Sequence, residues 1–546
     1  MPMQGNTKLS ESTTATARGS AWTPFRFTAF AVLWSATVVS NIGTWMQSAA
    51  AGWLMTALQP DPLTVSLVQV ATSLPMFLLA LPAGALADIL DRRKLLIAVQ
   101  MTIAIAVSIF ALMVWADRVT PAGLLLFTFL AGASAALIAP AWQAIVPDLV
   151  PRSELGPAVA LNSIGINISR AVGPALAGLL IAVLGIAAPF WVNAATYLGV
   201  IAALFWWRPS LGQRHLPAEH FVSAIRIGLR HARHNRNLRA TLIRAAGFFV
   251  AASAYWALLP LVARDQVKGG PQLYGILLGA IGAAAVGGAL LLPRAKALLG
   301  ADRLVAVGTI GTAVALALFG FARNPAIALI AAVFAGLSWI AVLATLNVSA
   351  QVSLPAWVRG RGLAMFTMVM FGGMALGSAI WGQAAALVGL PMAHFAAAAA
   401  LIIAIPLMGR WKLQAGAGQD LSPSMHWPTP LLAQEVEIDR GPVLVTVEYR
   451  IRPEDRTAFL AAIANAEDQR RRDGAYNWGV FEDAAAVGVF VETFQVDSWL
   501  EHLRQHERVT NADRILETEL RRFHTDGQPK VTHLIAAEPL PSRHRT

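Results

Sequence analysis

The residues that could do chemistry are few, and the most unexpected of them lies inside a long apolar run. Arg170 follows Asn162 and Asn167 in a segment that otherwise reads as a buried helix. An arginine at such depth requires an anionic partner, carbonyl groups or water. It could attract an anionic substrate, or it could extend to the rim of the helix and pair with Asp148 or Glu154. The sequence leaves both possibilities open.

A second group of polar and amphipathic side chains lies in the first apolar run. Residues 41 and 45 share one helical face, because they are four apart. We predict that this face borders a central cavity, with hydrogen bonding between helices as the alternative. The predicted substrate-binding set is Asn41, Trp45, Gln47, Asn167, Arg170, Asn347 and Gln351.

Two histidines near the carboxyl end stand four residues apart. His502 and His506 would share a helical face, as metal ligands do. The sequence near them offers no third ligand, and Trp499 and Leu500 are typical of a packed helix. We therefore predict a structural helix, no bound metal and no cofactor. The chain has no cysteine, which excludes disulfides and thiolate chemistry, and it lacks the P-loop pattern expected of an ATPase.

The elements that position these residues are mostly membrane helices. The chain has 546 residues, of which 56% are hydrophobic and 13% charged, a composition too apolar for a soluble enzyme. We predict twelve spans near Phe27–Ala57, Leu63–Ala87, Leu95–Ala116, Ala122–Ile145, Ala158–Leu184, Ala187–Trp207, Ala245–Ala263, Leu273–Leu292, Leu304–Ala322, Ala326–Val348, Leu363–Val388 and Met392–Met408.

The distribution of cations predicts the orientation of these spans. The loops on the side of both chain ends carry 19 Lys and Arg residues, and the loops on the other side carry 4. Because cytoplasmic loops are enriched in cations, both ends are predicted to be cytoplasmic. The same count explains the net charge of +11 without a nucleic-acid partner. The expected location is the inner, plasma membrane.

A short cationic hairpin joins the second and third predicted spans. It resembles the signature loop of the major facilitator superfamily, G-x-L-A-D-R-x-G-R-R/K-x-x-L, and its form is similar to the branch of the enterobactin exporter and macrolide-efflux-like proteins. The positions that match include Gly84, Asp88, Arg92 and Arg93, whereas Ile89 and Asp91 depart from the pattern. The resemblance implies that these residues take part in gating.

An internal repeat indicates that the bundle consists of two halves. A shift of 204 residues superimposes four glycines of the first half on four of the second. The pairs are Gly156 with Gly360, Gly173 with Gly377, Gly178 with Gly382, and Gly185 with Gly389. The stretch Gly173-Pro174 to Gly178 also resembles the fifth-helix motif of drug/proton antiporters, although Ala177 replaces one of its glycines. Small residues at fixed spacing permit close helix packing.

The last hundred residues change character. A Gly/Ser/Pro-rich linker is followed by strands near Val443–Tyr449, Tyr476–Phe481, Val489–Phe494 and Val531–Ala537, and by helices near Glu454–Arg471, Asp497–His506 and Asn511–Phe523. A β-α-β-β-α-β order predicts a ferredoxin-like α+β domain. The segment resembles domains related to antibiotic-biosynthesis monooxygenases. A dimerising or regulatory role is favoured over catalysis.

The predicted fold is an all-α membrane bundle of twelve helices in two six-helix halves, with a small carboxyl-terminal α+β domain. The predicted divisions are an amino-terminal tail (1–24), a first half (25–207), a cytoplasmic loop with a basic amphipathic helix (208–244), a second half (245–412), a linker (413–440) and the ferredoxin-like domain (441–546).

The resemblance implies a secondary transporter, most simply a proton-coupled exporter of a siderophore-like or drug-like molecule. Its expected partners are that substrate, protons and the lipid bilayer. No acidic residue lies in the middle of a predicted span, so the proton-carrier candidates are Asp88 and Asp148, with His394 third. An importer of the same fold, and a membrane-anchored enzyme or sensor acting through its tail, are the alternatives.

Overall fold

The computed structural model describes residues 22–208, 232–355, 357–413, 420–424, 426–427, 437 and 440–537. Within that part, eleven helices are long and apolar enough to cross a membrane. They are α1 (Thr28–Leu58), α2 (Pro62–Ile89), α3 (Arg92–Trp115), α4 (Pro121–Leu149), α5 (Leu155–Leu184), α6 (Ala188–Trp206), α7 (Arg236–Leu261), α8 (Pro271–Phe321), α9 (Pro325–Val352), α10 (Arg359–Val388) and α11 (Leu390–Met408).

The longest helix, α8, covers two of the predicted spans. Its 51 residues would measure about 77 Å if straight, far more than the ~30 Å of a bilayer core. Gly300 interrupts it with a φ of 71°, a backbone conformation that residues with a Cβ rarely adopt. The break divides α8 into two arms. The sequence predicts that this span ends near Leu292, whereas the helix continues through Arg294 and Lys296 up to this glycine.

Local sequence explains where several helices begin. Asp61, Thr120 and Asn324 each accept a hydrogen bond from the backbone N–H three residues later, and a proline follows each of them. A side-chain cap satisfies an N–H group that the helix cannot pair, and proline fits the first turn because it has no N–H to lose. Such sites sharply define the ends of α2, α4 and α9.

The repeated glycines make equivalent contacts in the two halves. A methyl group at Gly173 would lie 2.6 Å from the Trp45 Cβ of α1, and one at Gly377 would collide with the Val250 carbonyl oxygen of α7. Such helices pack so closely only because these positions carry no side chain. The duplication seen in the sequence is therefore a duplication of helix contacts.

The other two glycine pairs extend this equivalence. Gly178 packs α5 against the start of α8, and Gly382 packs α10 against Ser66 of α2, so both form contacts between the halves. Gly185 and Gly389 end α5 and α10 with φ values of 88° and 84°.

The carboxyl-terminal domain, described over residues 440–537 and called the tail from here on, is a four-stranded antiparallel sheet with helices on it. Its strands are β1 (Val443–Arg450), β2 (Tyr476–Glu482), β3 (Val489–Val496) and β4 (Lys530–Ile535), and its helices are α12 (Arg456–Arg472), α13 (Trp499–Arg508) and α14 (Asn511–Arg521). The strand order across the sheet is β2-β3-β1-β4. The elements follow one another along the chain in the order that the sequence predicts, with two short helices between β3 and β4.

The interior of the tail contains a charged network. Arg470 of α12 donates to Glu492 at 3.0 Å and to Glu517 at 2.8 Å, and all three side chains are at most 10% exposed. The Tyr449 hydroxyl and the Trp478 Nε1 donate to Glu492 at 3.2 and 3.0 Å. Every charge in this cluster therefore has a partner, which the burial of charge demands.

The linker folds back onto the tail through a segment that we name the strap, residues 420–424 with His426 and Trp427. The Ser424 N–H donates to the Val509 carbonyl at 2.9 Å. His426 and Trp427 both bond the Glu517 carboxylate, at 2.8 and 3.0 Å. The strap thus belongs structurally to the tail, although the sequence assigns it to the linker.

The tail also touches the membrane bundle. Asp468 of α12 accepts from Arg236 at the start of α7 at 3.0 Å, and His234 lies 3.7 Å from the same carboxylate. The Arg508 guanidinium lies 4.5 Å from the ring centre of Trp357, which precedes α10. The amphipathic helix predicted around residues 221–229 lies outside the described residues.

Candidate substrate-binding site

Arg170 lies at the middle of α5, where this helix meets α1. Its guanidinium carbon is 5.3 Å from the ring centre of Trp45, a distance typical of a cation–π contact. Gly173, one turn further along α5, allows this approach because its missing side chain leaves room for Trp45. The sequence analysis placed Trp45 and Arg170 in one site, and the structure brings them together.

The Arg170 side chain is half-buried and has no acidic partner among the described residues. Among the described residues no ion pair joins it to Asp148 or Glu154; Asp148 is exposed at the end of α4. The Nε atom of Arg170 is buried and has no hydrogen-bond partner. A buried donor left unpaired costs free energy, so such a group in a native fold requires an explanation.

The second half contributes an aromatic cluster that the sequence analysis did not single out. Tyr255 and Trp256 of α7 lie 5.3 Å apart between ring centres, and Trp256 lies 5.5 Å from Trp339 of α9. The Tyr255 hydroxyl and the Trp256 Nε1 are buried beside each other, and neither has a hydrogen bond of good geometry within the described part of the chain. Tyr255 and Met46, the residue after Trp45 on α1, belong to the same buried apolar cluster. In the sequence, the only indication of this cluster was a Tyr-Trp pair within an apolar run.

The halves of the bundle separate at the level of Arg170. Toward one end, α5 and α8 are in close contact: a methyl group at Gly178 would lie 2.6 Å from the Pro271 carbonyl oxygen, and one at Gly282 2.7 Å from the Ala171 Cα. The stacked rings of Trp53 and Tyr274, 6.1 Å apart, extend this closed contact between the halves.

Toward the other end, the same helix faces part. Ile164, two turns before Ala171 on α5, is 48% exposed, and Leu290, two turns beyond Gly282 on α8, is 76% exposed. The tail and the cationic hairpin lie at this open end. Arg170 therefore stands at the apex of a cleft, beside the point where the halves first touch.

The cationic hairpin binds helix ends within the first half. Arg92 donates to the Ala144 carbonyl of α4 at 2.9 Å, and Arg93 donates to the Leu204 and Phe205 carbonyls of α6 at 2.8 and 2.9 Å. Cations stabilise the carboxyl ends of helices, where carbonyl groups are unpaired and the helix dipole is negative. Asp91, which departs from the superfamily pattern, caps α3 by accepting from the Lys94 N–H.

The remaining predicted site residues are dispersed. Gln47 is buried and accepts from Asn193 of α6 at 2.6 Å, so it joins helices within the first half rather than facing the cleft. The amide of Asn167 donates to the Ser163 carbonyl at 2.8 Å. Asn347 and Gln351 bond each other at 2.5 Å near the end of α9. Asn41 is half-buried, one turn before Trp45.

Comparisons with known proteins agree with this architecture. One family of the major facilitator superfamily, described as "Transmembrane secretion effector", matches residues 19–540. A variant of the nucleoside transporter NupG superimposes with a TM-score of 0.59 at 12% identity, covering 70% of this chain and 99% of its own. An inward-facing, unoccupied bacterial homologue of the lysosomal transporter Spinster gives 0.55 at 15% identity, covering 71% and 98%. Such low identities report the fold alone.

Curated relatives are similar over part of the chain. The Staphyloferrin A transporter of Staphylococcus aureus is 25% identical over 49% of this chain and 67% of its own length. Macrolide efflux protein A of Streptococcus pyogenes is 26% identical over 44% of this chain and 60% of its own length. The multidrug efflux pump Tap of Mycobacterium tuberculosis is 28% identical over 39% of this chain and 52% of its own length. The matches thus span about half to two thirds of these relatives. Since the family match extends over nearly the whole sequence, the chain belongs to the transmembrane secretion effector family of major facilitator superfamily transporters.

Proposed function

We propose that this chain is a secondary active exporter that moves a small amphipathic anion by alternating access. Two of the similar proteins are named as efflux proteins and one as a siderophore transporter, which favours export and a siderophore-like or drug-like cargo. The relatives match only in part, so the cargo is argued from the site.

The observation that carries the proposal is the buried Arg170 Nε at the apex of the cleft, which has no hydrogen-bond partner among the described residues. The Tyr255 hydroxyl and the Trp256 Nε1 are buried as well and lie beside each other. Guanidinium and indole groups only donate hydrogen bonds. A carboxylate or catecholate would accept from them and neutralise the cation, while aromatic faces of Trp45, Trp256 and Trp339 would pack against its apolar part.

The membrane arrangement in this proposal has twelve spans and cytoplasmic ends. The two arms of α8 on either side of Gly300 would each cross the bilayer, because the arms contain about 29 and 21 residues. The asymmetry of loop cations supports the orientation. The open cleft would then face the cytoplasm, from which an exporter loads. The tail, with its β-α-β-β-α-β order, fits a ferredoxin-like domain that regulates or dimerises the transporter.

Proton coupling forms part of the proposal and depends on few groups. Asp88, at the end of α2, and the exposed Asp148 remain the candidate carriers, and the buried His394 is the third. The hairpin cations Arg92 and Arg93 would keep helix ends of the first half together while the halves rock. Asp88 would join them in gating when the open end closes.

The decisive experiment is energised transport into inverted membrane vesicles. Carboxylate and catecholate siderophores and a macrolide would be offered with and without a protonophore. We expect protonophore-sensitive accumulation of an anionic compound, at least tenfold lower for Arg170→Gln and partly retained for Arg170→Lys. Arg118→Gln, in a loop of the opposite end, is the matched control. Equal accumulation by Arg170→Gln and wild type would refute the anion site, and uptake only in right-side-out vesicles would establish import instead.

A further inference from the structure

Three histidines of the tail meet at one point on its surface. His502 and His506 come from α13, and His533 comes from β4, so the third member is close only in the folded chain. One ring nitrogen of each lies within 4.8 Å of the others. The sequence near His502 and His506 offers no third ligand, whereas strand pairing between β4 and β1 brings His533 beside them.

The spacing of the rings suits a bound ion. The Nε2 atoms of His502 and His506 are 3.3 Å apart. Two nitrogens at about 2.0–2.1 Å from one tetrahedral zinc ion are separated by about 3.3–3.4 Å. A plain hydrogen bond between the two rings could occupy this distance too, but it would not account for the third imidazole beside them.

A metal ligand must present a neutral imidazole, so an acidic partner on the rings would compete with the ion. Within the described part of the tail, no carboxylate is hydrogen-bonded to any of the three rings.

Neighbouring groups hold the rings in place. Trp499 packs against His502 and His533 at 5.4 and 6.1 Å between ring centres. Trp427 of the strap lies edge-on to His506 at 5.1 Å, and its backbone is within hydrogen-bonding reach of the His506 ring. A ligand histidine usually donates its second N–H to a carbonyl in this way, which orients the ring and leaves the other nitrogen for the ion.

We propose that His502, His506 and His533 bind a divalent transition-metal ion of the class that prefers imidazole, such as Zn²⁺. Three nitrogen ligands without a thiolate or carboxylate favour zinc, copper, nickel or cobalt over magnesium or calcium. His506 and His533 are half-exposed, so solvent would complete the coordination sphere and the ion would exchange. Because the site joins α13 to β4, occupancy would also brace the helix that carries Arg508 to Trp357 of the bundle.

The test uses the full chain in detergent, purified without a polyhistidine tag and stripped with a chelator. Bound metal would be measured by mass spectrometry after dialysis against Zn²⁺, and Co²⁺ would be titrated by visible absorption. The chain has no cysteine, so the cobalt spectrum would report nitrogen and oxygen ligands only. We expect about one ion per chain and the intense bands of a tetrahedral cobalt site.

Matched variants separate this site from unspecific binding. His533→Asn and His506→Asn should weaken binding at least about tenfold. His524→Asn should leave it unchanged, because that tail histidine is engaged with the Arg450 N–H and the Asp526 carbonyl. Far-ultraviolet circular dichroism of each variant would verify that the tail is folded. Equal metal content in wild type and in folded His533→Asn, or none in the wild type, would overturn the proposal.

Discussion

Two arginines with buried guanidinium atoms, one in the membrane bundle and one in the tail, each lie near a tryptophan, yet their surroundings are opposite. Arg170 lies 5.3 Å from the Trp45 ring centre and has an unpaired Nε, whereas Arg470 lies 5.1 Å from that of Trp427 and bonds two carboxylates. Burial alone would lower the pKa of Arg470, but Glu492 and Glu517 raise it well above its usual value.

The contrast separates two uses of a buried cation. In the tail the partners belong to the chain, so the network is complete and its loss would damage the fold. In the bundle the described residues offer Arg170 no partner, which is what a site for a transient anion requires. The same residue type is thus structural where it is paired and a candidate functional group where it is not.

The largest expected effect breaks the tail network. Arg470→Met would leave Glu492 and Glu517 buried without their cation and destabilise the tail by about 3–5 kcal/mol. Hydrogen–deuterium exchange of β3 in the full chain would measure the loss. Arg471→Met is the control, because Arg471 pairs with Glu467 on the surface and its removal should cost less than about 1 kcal/mol. Similar losses in both variants would contradict the assignment.

Acid should weaken the same network. Burial alone would raise the pKa of Glu517, but Arg470 and hydrogen bonds from His426 and Trp427 lower it to about 2. Its contribution is fully present above the ordinary value of 4.5 and is lost as the pH falls toward 2, a change of about 3 kcal/mol. Urea unfolding of the tail at pH 6, 4 and 3 would show this loss, and Glu517→Gln should flatten the dependence. A pH-independent wild type would contradict it.

The smallest effect on stability is expected at Arg170. Arg170→Gln removes a cation that has no carboxylate partner in the described ranges, so thermal unfolding in detergent should change by no more than about 1 kcal/mol, mainly through the lost contact with Trp45. The same variant should fail in transport. A large loss of stability would show that Arg170, like Arg470, is a structural residue, and would contradict the distinction between them.

Much of the architecture was predictable because long apolar runs in the sequence indicate membrane helices. The ends were set by capping residues such as Asp61 and by glycines such as Gly185, which are visible in the sequence. The break at Gly300 was not identified, because one glycine among 43 carries no sign of its φ angle. Side-chain partners were harder still: nothing in the sequence distinguishes Gln47, which bonds Asn193, from a cavity residue.

For the apex of the cleft, the sequence predicted the residues that the first half contributes but not the aromatic residues of the second half. Arg170 and Trp45 were conspicuous as polar groups in apolar runs, while Tyr255 and Trp256 were not singled out. What surrounds their buried donors becomes visible only in the fold. His533 could not be predicted as a neighbour of His506 for the same reason: it is distant in the chain, and only the folded tail brings strand β4 beside helix α13.

The contacts between tail and bundle have a consequence for how the tail could move. The exposed pair of Arg236 with Asp468 is worth about 0–1 kcal/mol, and the contact of Arg508 with Trp357 about the same. Such contacts would not hold two separate proteins together. However, only six residues separate Leu413 from the strap at Asp420, so the tail experiences the bundle at an effective concentration in the millimolar range or above. Docking can therefore persist on weak contacts, and losing or gaining a single one would shift the tail between docked and free.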